Sequence, residues 1–115
     1  MASDLQVLIT ARAILSSPSS WTKEVWARDE DAQPVAAADS TATSFCAYGA
    51  LCRAQFILKD PIPLVLRPVQ LLSYLNFGSY GELADWNDDP NRTHAEVLAR
   101  LDAAISTLAE ENLSK

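Results

Sequence analysis

At 115 residues, with 49% hydrophobic content, the chain has the length and apolar share of one globular domain, which argues against disorder and leaves no room for a second core. Fifteen Asp and Glu against nine Lys and Arg give a formal charge of -6; with its bases scattered, such a chain repels a phosphate backbone, which argues against nucleic acid. No apolar run reaches the ~18 residues of a membrane span, and Asp4 stands where an export signal needs positive charge, so a cytoplasmic protein off the membrane is expected.

Helix one is predicted from Ser3 or Asp4 to Ser16. Leu5, Leu8, Ile9, the aliphatic stem of Arg12 and Leu15 recur at helical spacing, and Ser3 or Asp4 caps the start. Ser16-Ser17-Pro18-Ser19-Ser20 ends it, because serines favour turns and proline cannot continue a helix. Trp21 to Val35 lacks helical period; Val25, Ala27 and Pro34-Val35 flank the acidic turn Asp29-Glu30-Asp31-Ala32, which predicts a short β-hairpin or ordered loop. Ala36 to Ser40 reads as a connector, with Asp39, Ser40, Thr41 and Thr43 competing to cap the next element.

That element, roughly Ala42 to Leu58, is apolar on nearly every side apart from Arg53 and Gln55, the mark of a helix at the centre of the fold. Gly49 and Ala50 leave a notch in it for another backbone or a large ring, flanked by Tyr48 and Phe56. Cys46 and Cys52, six apart on one helix, point ~240° away from each other and cannot form a disulfide. Two free buried thiols suit a reducing compartment. Lys59-Asp60-Pro61-Ile62-Pro63 is a rigid extended connection, and a third helix starts at Pro68, buries Val69, Leu71, Leu72 and Leu75, and stops at Gly78. A short helical turn fits between Ser79 and Trp86. Thr93-His94-Ala95-Glu96 is a capping box that opens the last helix, whose stripe is Val97, Leu98, Leu101, Ala104, Ile105 and Leu108. The sum is a mostly α single domain over residues 1–115: about four bundled helices with a short hairpin or loop between the first two.

Three stretches resemble a family of small bacterial and phage proteins known only as a domain of unknown function. They are Ala27-Arg28-Asp29 with Pro34-Val35; Phe45-Cys46-Ala47-Tyr48-Gly49-Ala50-Leu51; and Ala84-Asp85-Trp86-Asn87-Asp88 with Arg92-Thr93 and Glu96-Val97. The likeness runs from about Trp21 to Ile105, and its most specific part is Trp-Asn-Asp followed by the Thr-capped helix. Members of that family more often carry Trp where this chain has Phe45, and Gly where it has Ala32. The resemblance supports a single domain and implies no activity.

Three constellations bear on function. Cys46 near a helix N-terminus, His94 as base and Asn87 or Asp88 as orienting group have the residue types of a thiol hydrolase or transferase. Against this, the neighbours of Cys46 are apolar, which raises a thiol pKa, and free cysteine is ordinarily core. Asp85, Asn87, Asp89, Asn91, Thr93 and Glu96 fall at positions 1, 3, 5, 7, 9 and 12 of a calcium loop, yet Pro90 takes the place where that loop needs glycine, and local capping explains the same residues. Two cysteines and one histidine lack zinc spacing, and with three glycines there is no phosphate loop, so no cofactor is implied. The remaining reading is a non-catalytic module that binds another protein through Trp21, Trp26, Arg28 and Asp29 together with Trp86, Asn87, Asp88 and Arg92. Tryptophan is enriched at binding hot spots, and the segment around Trp21 and Trp26 has few other apolar residues to cover both.

Overall fold

The computed structural model describes residues 3–61 and 70–113. In chain order they form α1 (Asp4–Ile14), a 3-10 turn at Pro18–Ser20, β1 (Ala27–Arg28), β2 (Pro34–Val35), β3 (Ser44–Phe45), α2 (Ala47–Ile57), α3 (Gln70–Tyr74), α4 (Tyr80–Asp88) and α5 (His94–Leu113). The chain is thus mostly helical, with a small antiparallel sheet inserted between α1 and α2. The expected extended run through Ile62 and Pro63, the helix start at Pro68 and the burial of Val69 lie outside the described residues. No helix among the described residues is long and apolar enough to cross a membrane.

Ser3 caps α1 in a reciprocal box, its hydroxyl accepting the Gln6 N–H while the Gln6 side chain accepts the Ser3 N–H. The face that α1 buries is Val7, Leu8 and Ala11, continued by Leu15, and Ile9 is 49% exposed. The expected stripe through Leu5 and Ile9 is therefore rotated toward Val7 and Ala11. Packing explains the difference: α1 lies against both α2 and α5, and small Ala11 lets a neighbouring helix approach more closely than Ile9 would.

The sheet has three strands in the order β2-β1-β3, so the segment after Trp21 is not a free-standing hairpin. Ala27 pairs with Val35 on one side and Phe45 on the other, and Arg28 with Pro34 and Ser44. Pro34 sits on an edge strand, where its missing N–H breaks no ladder. Ala32, in the turn between β1 and β2, holds the left-handed φ of 63° that a glycine would adopt without strain.

Because Ser44 and Phe45 pair with β1, α2 begins at Ala47 and not near Ala42, and Cys46 caps it. Asp39 does not cap α2: its carboxylate accepts the Thr41 N–H and hydroxyl in a local turn. Arg53 fastens that connector to α2 by donating to the carbonyls of Ala37 and Asp39. Gly49, Ala50, Leu51 and Ala54 are buried, as a central helix requires, and so is Gln55, which the sequence marks as polar; Phe56 is 58% exposed and flanks no notch.

Asn76, with φ 65°, takes the left-handed position after α3 that the sequence assigns to Gly78, and the Phe77 N–H returns to the Leu72 carbonyl. Gly78 instead donates its N–H to Glu82, and Ser79 caps α4, a full helix in place of the expected turn. Thr93 and Glu96 form the expected box at the start of α5, which buries Val97, Leu101, Ala104 and Leu108, with Leu98 and Ile105 partly buried beside them. One hydrophobic cluster takes residues from α1, the sheet and all four later helices.

Candidate functional site

Asn87 is fully buried at the end of α4, and its amide is saturated. Its Oδ1 accepts the Trp21 indole N–H at 2.8 Å and the Ala47 N–H at 3.0 Å. Its Nδ2 donates to the Thr22 carbonyl at 3.1 Å and to Asp88 Oδ1 at 3.0 Å. The same Asp88 oxygen accepts the N–H of Glu24, a residue held at φ 75°, and Lys23 Nζ donates to the Asp89 carbonyl. The Trp-Asn-Asp segment thus fastens the Trp21–Glu24 loop to α4 and answers one of the open donors at the start of α2. Burying this many polar groups is tolerable only because each has a partner.

Cys46 is 4% exposed, and its Sγ accepts the Gly49 N–H at 3.2 Å. Burial pushes its thiol up to about 11, against the opposing pull of the Gly49 and Tyr48 N–H groups. Burial also raises Cys52, and both cysteines are free. His94 is half-buried: its Nε2 bonds to the Leu15 carbonyl and its ring packs 6.2 Å from Trp21. Cys46 and His94 share no hydrogen bond, and Asn87 orients Trp21 and Ala47 rather than the imidazole. The three residues do not form a relay.

The 85–96 segment uses its polar groups locally. Asp89 Oδ1 accepts the Asn91 N–H at 2.8 Å, and Glu96 accepts from the Thr93 N–H and hydroxyl and from Arg92. The Thr93 N–H, foremost, holds the Glu96 carboxyl below the usual range. Asp85 lies on α4 while Asn87 is buried in its tether. No group of three or more His, Cys, Asp or Glu among the described residues is placed to hold a metal ion.

Most of the aromatic and basic residues singled out in the sequence serve the scaffold. Arg28 donates to Thr22, Lys23 and Ala32, and Asp29 accepts the Asp31 and Gln33 N–H groups. Trp86 is half-buried, with the Arg92 and Arg100 guanidiniums 4.1 and 5.0 Å from its ring centroid and Phe77 5.6 Å away. Arg92 also donates to the Trp86 carbonyl at 2.9 Å. Trp26 differs: its side chain is 58% exposed, while its carbonyl accepts the Cys46 N–H at 3.1 Å. That carbonyl lies in the notch of α2, where a Cβ on Gly49 would come within 1.9 Å of it. The expected close approach at Gly49 is therefore a backbone. Two open grooves share Trp26 in their lining, one with Val25, Pro34 and Val35, the other with Tyr48, Tyr80 and Gly81.

A family model described as a family of unknown function, DUF6197, matches residues 1–107. The chain belongs to that family. No curated protein and no solved structure matches it. The DUF6197 match takes in the Gly49 notch, the Asn87 tether and the whole sheet. In this DUF6197 chain the residue that the sequence reading leaves out is Tyr80, whose ring meets Tyr48 at 5.5 Å. Tyr48 itself is read there only as filler. A signal was present for Tyr48, which precedes the notch that seats Trp26; none marks Tyr80, which a separate helix brings to the same groove.

Proposed function

We propose that this chain is a non-catalytic module that docks another protein on the face around Trp26. The observation that carries the reading is an exposed indole on an immobilised backbone, with the Trp26 carbonyl held by Cys46 and seated against Gly49. Tryptophan is enriched at binding hot spots because it supplies large contact area. A side chain presented from fixed backbone loses less freedom on binding than one on a loose loop. A thiol pushed up to about 11 is neutral at physiological pH, which weighs against the enzymatic alternative. The unpaired Cys46 and Cys52 suit a module working in the cytoplasm.

Quantitative pull-down from cell extract with wild type and Trp26→Ala tests the docking face. The wild type should enrich a protein that the variant loses, the two baits having the same melting temperature. Identical recovery by both ends this reading.

A further inference from the structure

The chain covers the faces of most of its large rings with its own cations. Lys23 lies 5.3 Å from the Trp21 centroid, and Arg92 and Arg100 lie over Trp86. Arg53 faces Phe45 and Phe56, and Arg100 faces Phe77. Trp26 is exposed, and it is the only tryptophan over which no Lys or Arg among the described residues lies in this way.

Its surroundings are aromatic. The Trp26 and Tyr48 rings meet at 5.5 Å with planes 43° apart, and the Tyr48 and Tyr80 rings at 5.5 Å and 75°. Tyr48 thus meets both other rings at an angle, and all three line one open groove together with the small residues Gly81 and Ala84. The adjoining groove, which shares Trp26, contributes Glu24. That carboxylate is the one charged side chain among the described residues lining either groove, and the formal charge of the chain is -6. Aromatic faces carry negative potential and attract ammonium and guanidinium groups, most strongly when several rings surround the cation.

We propose that the groove of Trp26, Tyr48 and Tyr80 receives an arginine or lysine side chain of the docked polypeptide. The cation lies against the Trp26 face, and the Glu24 carboxylate adds its field from the neighbouring groove. This inference rests on the docking reading above and names the chemistry of the partner.

The test follows the three indole N–H resonances of nitrogen-15 labelled protein. Titrants are N-acetylarginine amide, its uncharged analogue N-acetylcitrulline amide, and tetramethylammonium chloride, all at equal ionic strength. The arginine amide should move the Trp26 signal about five-fold further than the citrulline amide does, and leave Trp21 and Trp86 in place. Gly81→Lys, which supplies a cation from within, should cut that response by about five-fold with an unchanged melt. A Cβ at position 81 meets only the Ser79 hydroxyl oxygen, at 3.6 Å, so the backbone there has room for a side chain.

Equal responses to arginine and citrulline amides, or a response indifferent to Gly81→Lys, overturn the proposal. A response to tetramethylammonium alone overturns the polypeptide source. Loss of a partner by Trp26→Ala with no arginine response leaves the docking reading standing and removes the cation. Identical recovery in the pull-down removes the docking reading, and this inference with it.

Discussion

Residue 49 has no space for a side chain: a Cβ there would meet the Trp26 carbonyl carbon at 2.8 Å as well as its oxygen at 1.9 Å, and both are backbone atoms that cannot swing aside. Gly49→Ala should therefore cost about 3 kcal/mol, the upper part of the range for overpacking. A urea midpoint equal to that of wild type would contradict this. Asn87 is the opposite case, a side chain the site cannot lose. Asn87→Ala strands the Ala47 N–H and the Thr22 carbonyl, and should destabilise by about 3 kcal/mol, read as a lower melting temperature. The notch was legible in the sequence because a glycine in an otherwise apolar helix implies close approach. What fills it was not, since Trp26 lies over twenty residues away and nothing local ties the two. Asn87 drew notice as a candidate orienting group or metal ligand; its actual partners, Trp21 and Ala47, are 66 and 40 residues distant.

Element boundaries show where local pattern loses to pairing. The stretch before Ala47 is uncharged and carries Ala42, Phe45 and Cys46, so local pattern runs the helix back to Ala42, whereas the ladder from Ala27 and Arg28 draws Ser44 and Phe45 into a third strand. Capping chemistry proved the firmer guide where it was strongest, at Thr93 and Glu96. It misled at Asp39, whose carboxylate was free to close a turn on Thr41. At the β1–β2 turn, Ala32 bears a Cβ at φ 63°, a conformation costing L residues roughly 1–2 kcal/mol that glycine avoids. Ala32→Gly should thus stabilise the protein by about 0.5–1 kcal/mol after the greater chain entropy of glycine is counted. A lower urea midpoint in that variant would show that the turn carries no such strain.

For the molecule as a whole, the buried thiol sets the alkaline limit. The folded-state pKa of Cys46, about 11, stands above its ordinary value of 9.0, so its contribution to stability is complete below pH 9 and is lost as pH rises from there through 11. Tyr48, raised by burial to about 12, acts in the same direction at higher pH. Melting temperature should decline above pH 9, and less steeply in Cys46→Ala; equal slopes would remove Cys46 as the cause. The native thiol should also resist iodoacetamide at neutral pH until the protein is denatured. The helical majority and the central position of α2 were readable from composition and period. The aromatic groove was not, because the bend before β1, α2 and α4 each deliver one ring to it.

The contact between the first and last helices has a consequence for biosynthesis. Arg12 of α1 is bonded to Asp102 of α5 at 2.9 Å, and the Leu15 carbonyl is held by His94. A ribosome finishes α1 well before it adds α5, so that surface has nothing to dock on in the interval. Nascent chains stalled ahead of residue 94 should stay protease-sensitive, and chaperones would meet the chain in that interval.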